Sequence, residues 1–419
     1  MKMNIVSALQ NKIKVNSVSF NQLAKIIVLS KLEHLNKGML QIIDDDQVFG
    51  FGNSDLSPLK ATITIRDASL YSSLAFGGSV GVGEAYVKGV WDCNDLTSLV
   101  QIFLLNRDVL DNVDKGTSNL SGVFNKIFHW FNKNTKDGSK KNISAHYDLG
   151  NPLFELMLDK TMMYSSAIYP NHNASLEEAS VYKLDQICKK LDLKADDHLL
   201  EIGTGWGGLS AYAAKHYGCR ITTTTISKEQ YDYSSALFKE QGLDDNITLL
   251  LEDYRDLEGQ YDKLVSVEMI EAVGLENLNT YFQKCSSLLK PEGLMLLQSI
   301  TIEDQRFEQA KREVDFIQKY IFPGGSLPSL TAITASLTAV TDMRVTGLDD
   351  IGLHYAKTLK DWRERFFKQE TQVRKLGYDD LFIRLWEYYL CYCEGGFIEN
   401  SISAVHIVII KPAYKKKLC

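Results

Sequence analysis

Residues 199–208 read LLEIGTGWGG. An apolar run entering a cluster of glycines is the sequence form of a strand that turns tightly into a helix, where backbone amides at the helix N-terminus can approach a ligand closely. A dinucleotide site asks for G-x-G-x-x-G and for an acid about 20 positions on to hold the ribose. Here the glycines are Gly203, Gly205, Gly207 and Gly208, and the following strand, ITTTTIS (221–227), ends without an acid. The acid comes earlier instead. Glu201 stands just before the first glycine, where its carboxylate is expected to face the ammonium of a bound amino-acid moiety.

Outward from this loop, short apolar runs alternate with amphipathic ones. The strand-like runs are DHLLEI, CRITTTTI, ITLLL, DKLVSVE, GLMLLQSI, MRVTGL and VHIVII. Between them lie helical patterns such as SLEEASVYKLDQICKKL (175–191), with Ser175 and Glu178 at capping-box spacing, and ENLNTYFQKCSSLL (276–289). Alternation of this kind predicts a doubly wound α/β sheet, whose ligands sit beyond the carboxyl ends of the strands. The insert between LLQSI and MRVTGL is long and aromatic.

Upstream, NKNTKDGSKKN (132–142) is polar and nearly devoid of apolar residues, and reads as a linker. It divides an N-terminal domain, 1–131, from a larger domain, 143–419. In the first, GMLQIIDDDQVFGFG and ATITIR alternate and DLTSLVQIFLLN has helical spacing, which predicts a small α+β domain.

A chain of 419 residues suits two or three domains, and 45% hydrophobic with 24% charged residues is an ordinary globular composition. The seven cysteines are odd in number and lack CxxC spacing, which points to neither a disulfide framework nor zinc, and to a reducing compartment. None of the eight histidines forms a metal motif. No run approaches the roughly 20 apolar residues of a spanning helix, IIVL (26–29) being far too short, and no signal-peptide pattern is seen. A net charge of -7 argues against a nucleic-acid binder, while lysines in 133–142 and 415–417 could attract anionic lipid at about 1 kcal/mol each.

LLEIGTGWGG resembles the S-adenosylmethionine loop of class I methyltransferases, and TISKEQ (225–230) resembles the next contact segment of one branch, the cyclopropane-fatty-acid synthases. HYDLGNPLFELML (146–158), MMYSSAIY (162–169), EDYRDL (252–257), VEMIEAVG (267–274), KYIFPGGSLPS (319–329), GLHYAKTL (352–359) and WEYYLCYCEGGF (386–397) follow that branch in order. The resemblance spans 143–412, and more weakly the N-terminal part from about 38, where GEAYVKGVWDC (83–93) is similar to the family's lipid-holding domain. It implies a seven-stranded class I methyltransferase sheet and a cytoplasmic enzyme peripheral to the inner membrane. Such an enzyme acts on unsaturated acyl chains of membrane phospholipids, with a homodimer left open.

By the same resemblance, S-adenosylmethionine is held by Tyr164 and Ser165, by the loop with Glu201, Gly203, Gly205, Trp206 and Gly207, and by Thr225, Ile226 and Gln230. Glu252 and Asp253 border the adenine. The implied reaction lets a cis double bond attack the sulfonium methyl, leaving a carbocation that loses a proton to close a cyclopropane. Aromatic faces stabilise the cation, and a bicarbonate serves as base, cradled by Glu271 and Tyr355 through side chains and by Ile300 through its backbone. Gln298 stands where many bacterial members have histidine, and a plant-like branch that the chain resembles shares the glutamine.

On the residues alone, Glu268 and Glu271 are three apart where a strand ends and share a face if a helical turn starts there. Tyr355 sits in GLHYAKTL without an apolar period that would make it core. Ser166 departs from the family's YSCA, and a contact made through the backbone amide would survive the change. Two related outcomes stay open: a methyl- or methylene-branched chain, and methylation of a small-molecule nitrogen. A non-catalytic lipid-binding protein fits poorly with an intact glycine loop.

Overall fold

The computed structural model describes residues 20–107 and 149–415, so the proposed linker with all its lysines, and Lys416 and Lys417, lie outside the described residues. Two compact units result, and they do not follow a single cut of the chain. Residues 20–107 gather with Glu313–Ile317 and Gly377–Glu399, while the remaining described residues form the second unit.

The first unit is built on a sheet of order β2-β1-β3-β4, from β1 (Gly38–Asp44), β2 (Gln47–Asn53), β3 (Lys60–Ile65) and β4 (Trp91–Cys93). The Asp triplet supplies the hairpin turn, with Asp45 at φ 50° and Asp44 opposite Gln47. DLTSLVQIFLL becomes a helix over Leu96–Leu105, capped by the Asp95 carboxylate accepting from the Ser98 amide at 2.9 Å. The core of this unit joins Leu40, Ile63, Tyr86 and Trp91 to Phe316, Tyr388 and Cys391. The last two come from the helix Asp380–Ile398, whose Arg384 donates to the Trp91 carbonyl at 2.7 Å and to Asp92 at 2.9 Å.

The second unit holds a mixed sheet of order β10-β11-β9-β8-β5-β6-β7. Its strands are β5 (His198–Ile202), β6 (Arg220–Thr224), β7 (Ile247–Leu250), β8 (Tyr261–Val267), β9 (Leu289–Ile302), β10 (Arg344–Asp350) and β11 (Ile402–Ile410). All seven apolar runs therefore fold as strands. β7, β6, β5, β8 and β9 run parallel, and β11 pairs antiparallel with β9 and β10.

Near-continuous apolar runs are what a sheet covered on both faces requires, because successive side chains point to opposite sides. Leu200, Leu264, Met295 and Leu297 enter one core with Tyr281 and Phe282, while Leu199, Val265, Leu294 and Leu296 enter the other with Leu184 and Leu209. Each fully buried leucine contributes about 1.5–3 kcal/mol. The helix Leu176–Lys190 starts at the capping box legible in the sequence, Ser175 accepting from Glu178 and Glu178 from Ser175.

Candidate active site

The turns at the carboxyl ends of β5 and β8 carry the glycine loop and the acid pair Glu268 and Glu271. After β5, Gly203, Gly205 and Gly207 take φ of 98°, 54° and 87°, and Gly207 caps the helix Gly208–Tyr217. The amides of Gly203 and Thr204 donate to the Thr224 carbonyl at 3.1 and 2.9 Å, tying the loop to the end of β6. A Cβ at Gly203 would press on Met269 at 3.3 Å and one at Gly207 would overlap the Phe238 ring at 2.8 Å, but at Gly205 nothing lies within 4 Å. The loop is thus packed on two sides and open at its middle glycine, the shape needed to pass a ligand along the backbone.

The other predicted cofactor residues vary in their availability. Glu201 is 3% exposed, and its Oε2 accepts from Ser210 at 2.5 Å and Thr223 at 2.7 Å. Burial pushes this carboxyl up to about 7 against the pull of the two hydroxyls. Through Oε2 it braces the loop internally. Trp206 also turns inward, donating from Nε1 to Asn151 at 2.8 Å with its ring 4.9 Å from Phe154.

Thr225 and Gln230 are buried and bonded to each other at 2.8 Å, beside the half-buried Ile226. Asp253 is gripped by Arg255 through both carboxylate oxygens, at 2.8 and 2.6 Å. Glu252 is exposed and meets the sheet only through its carbonyl, which accepts from Thr224 at 2.5 Å.

Beyond β8 the geometry converges. Glu268 has a left-handed backbone, φ 49°, a conformation that costs a non-glycine residue about 1 kcal/mol. Its Oε1 accepts from the Ser166 amide at 2.9 Å and from Gln298 Nε2 at 2.7 Å, and its Oε2 accepts from the Tyr355 hydroxyl at 2.7 Å. Ser166 engages through its backbone, its own hydroxyl turning to the Ala167 carbonyl at 2.9 Å.

Glu271 points elsewhere. Its Oε1 accepts from the Ile300 amide at 2.6 Å and lies 3.0 Å from Ser299 Oγ, while its Oε2 is buried without a partner. The two acids therefore do not share a ligand face: a short 3-10 turn over Ile270–Ala272 follows the left-handed Glu268 and sends them apart. Tyr355, expected beside Glu271 around a bicarbonate, donates to Glu268. It is also part of an apolar period, since Tyr355, Leu359, Trp362 and Phe366 form the buried stripe of the helix Gly352–Lys368.

Charge is divided unevenly between the acids. Burial, then the neighbouring Glu268 charge, pushes the Glu271 carboxyl up to about 8. Burial also raises Glu268, but Lys183, Tyr355, Ser166 and Gln298 all act to hold it ionised. Glu271, raised and with Oε1 already accepting, has its partnerless Oε2 as the place for a proton, while Glu268, raised by burial, has four neighbours drawing it back toward the charged form.

Sequence reasoning missed two supports of this arrangement. Lys183 is fully buried and donates to Ser165 at 2.6 Å, and burial draws its ammonium down to about 8 against the pull of Glu268 and Asp159. His406 lies opposite Gln298 in the β9–β11 register, with Nε2 2.8 Å from Gln298 Oε1 and Nδ1 2.8 Å from Lys190 Nζ. A polar residue inside each of the apolar runs GLMLLQSI and VHIVII was the available signal.

A path of rings joins the two turns. Trp206 meets Phe154 at 4.9 Å, Phe154 meets Tyr164 at 5.1 Å, Tyr164 meets Trp362 at 5.1 Å, and Trp362 meets Tyr355 at 6.1 Å. Among the described residues no cluster of three or more His, Cys, Asp or Glu could hold a metal, and no helix is long and apolar enough to cross a membrane.

The family model for mycolic acid cyclopropane synthetase matches residues 134–407. Tuberculostearic acid methyltransferase UfaA1 of Mycobacterium tuberculosis is 36% identical over 353 residues, covering 83% of this chain and 82% of the relative. Cyclopropane-fatty-acyl-phospholipid synthase of Escherichia coli is 36% identical over the same length, covering 83% and 87%. Among solved structures, mycolic acid cyclopropane synthase CmaA1 complexed with SAH and CTAB superposes with a TM-score of 0.60 at 29% identity, over 65% of this chain and 98% of that one.

Proposed function

Because this chain belongs to the mycolic acid cyclopropane synthetase family of S-adenosylmethionine-dependent methyltransferases, we propose that it acts on a cis double bond in a phospholipid acyl chain and closes a cyclopropane ring there. The observation that carries this reading is the path of rings ending at the Tyr355 and Glu268 pair. An acyl chain asks for an apolar wall, a developing carbocation for aromatic faces, and the closing step for a base; the path offers all three in sequence.

S-adenosylmethionine, when bound, supplies the electrophilic methyl group. The open face at Gly205 and the fixed amides of the loop fit it, with Gly203 and Gly207 shaping the turn and Thr225, Ile226, Gln230, Tyr164 and Ser165 as further contacts. Glu252 and Asp253 remain the proposed border of the adenine, Asp253 acting together with Arg255. Bicarbonate has no part in this reading. The donors that would cradle it are already directed at the chain's own carboxylates: Ser166, Gln298 and Tyr355 at Glu268, and Ile300 at Glu271.

A second reading keeps the methyl transfer and loses a different proton, leaving a methyl- or methylene-branched chain; equal identity to the tuberculostearic acid methyltransferase favours it. Expression in a host lacking cyclopropane lipids, followed by mass spectrometry of fatty methyl esters, separates the two. Gain of one CH2 with ring fragments supports cyclopropane, gain with retained unsaturation supports the branched chain, and no gain of carbon overturns both.

We further place the protein in the cytoplasm at the inner membrane, with 1–131 as a lipid-binding-type domain and the lysines of 133–142 and 415–417 drawn to anionic headgroups. Vesicle sedimentation should then increase with anionic lipid and weaken with salt. Equal binding at all compositions removes the lysines from the account.

A further inference from the structure

We propose that Glu268 is the chain's own proton acceptor for the closing step, a built-in carboxylate standing where an exchangeable anion would otherwise have to bind. This rests on the methyl-transfer reading above and deepens it. Three features carry it.

The first is the backbone. At φ 49°, glycine is the residue that costs least, yet a glutamate stands there. A strained residue persists when its side chain is held firmly, and here three donors from three separate stretches hold it.

The second is lone-pair arithmetic. A carboxylate offers about four acceptor positions. The Ser166 amide and Gln298 Nε2 fill Oε1 and the Tyr355 hydroxyl takes one position on Oε2, so one position on Oε2 remains for a proton. Fully paired carboxylates make braces, like a salt bridge; a carboxylate with one vacancy beside an aromatic wall can work as a base.

The third is a positioning chain behind it. Lys190 donates to His406 Nδ1, which leaves the ring proton on Nε2 to be donated to Gln298 Oε1, and that fixes the amide so that Nε2 faces Glu268. Without His406 the amide could turn over and set an oxygen against the carboxylate. Lys183, buried in the same unit, supplies the compensating positive charge.

The step balances without any outside reactant. Once the double bond has taken the methyl group, a C–H bond of that methyl breaks. Its electron pair forms the third bond of the ring at the cationic carbon, and its proton passes to Glu268 Oε2.

The experiment compares wild type with Glu268→Gly and Glu268→Gln in buffer stripped of carbon dioxide and in buffer with added bicarbonate. Lipid turnover is measured alongside S-adenosylmethionine affinity by calorimetry and binding of carbon-13 bicarbonate by NMR. Wild type should be indifferent to bicarbonate and bind none. Glu268→Gln should lose on the order of 100-fold or more in turnover, with cofactor affinity within about threefold. Glu268→Gly relieves the backbone and empties the cradle, so it should bind bicarbonate saturably and regain turnover when it is added. Wild type that loses turnover on stripping and recovers it with bicarbonate overturns the proposal, as does a Glu268→Gln variant with more than about a tenth of wild-type turnover. Failure of the underlying reading looks different: wild type then adds no carbon to lipid under any condition.

Discussion

The loop after β5 and the turn after β8 follow neighbouring parallel strands, Ile202 standing opposite Ser266 in their register, yet they solve different problems. The first presents backbone. Its left-handed positions are glycines, and its acid, Glu201, is buried as a brace for Ser210 and Thr223. The second presents side chains. Its left-handed position is Glu268, and the strain is accepted because the carboxylate has to arrive among three donors. Glycine marks where the chain must be approached, and an out-of-place acid marks where it must reach.

If that contrast holds, the largest single effect should come from the glycine loop. Gly205→Val puts a branched side chain into the open face and forces it toward a left-handed backbone, so affinity for S-adenosylmethionine should fall by at least about 100-fold. Titration calorimetry measures it, and retained affinity would mean that the ligand does not pass the middle glycine.

Next comes the acid turn. Tyr355→Phe removes one donor from Glu268 while keeping the ring against Trp362, so turnover should fall by about 10- to 100-fold with cofactor affinity unchanged. A parallel loss of affinity would dissolve the separation of binding from chemistry.

Glu271→Gln should be milder at neutral pH, because an amide imitates the protonated carboxyl the wild type holds there. Its signature is in stability. The folded carboxyl keeps its proton until about 8, while the unfolded one releases it near 4.5, so wild-type stability declines as pH rises between those values. The variant lacks that decline, and its melting temperature relative to wild type should rise by about 6 °C from pH 5 to pH 8, equivalent to about 3 kcal/mol. A difference that is flat with pH counts against a neutral Glu271.

The smallest effect is expected beneath the loop. Ser210→Ala removes one of the two hydroxyls on Glu201 and should lower the melting temperature by about 2 °C, with cofactor affinity little changed. If affinity falls more than stability, Glu201 touches the ligand after all.

Most of the architecture was legible because it depends on local pattern. Buried strands read as apolar runs, the helix starting at Leu176 announced its capping box, and Asp95 sat where a cap belongs. The glycine loop was legible for the same reason: its φ values depend on the residues themselves.

The acid turn was not, because its meaning is made by juxtaposition. Ser166 and Glu268 are 102 positions apart, and nothing in VEMIEAVG tells which of its two acids the Ser166 amide will reach. Tyr355 was misread because GLHYAKTL stops before Trp362 and Phe366, where the helical stripe becomes visible. Gln298 was singled out only through the family resemblance and His406 not at all, and only the antiparallel register of β9 and β11 pairs them.

The helix Asp380–Ile398 has a bearing on how the protein is made. Its Tyr388 and Cys391 complete the core whose other members are mostly encoded within the first hundred or so residues. On the ribosome the N-terminal sheet therefore emerges long before the helix that finishes it. At about 5–20 residues per second the wait is on the order of tens of seconds. During that interval Tyr86 lacks the Tyr388 ring and the Trp91 carbonyl lacks Arg384, and the segment is exposed to chaperones and proteases. A nascent chain stalled before residue 380 should be digested rapidly in this segment, and one released beyond residue 399 should resist.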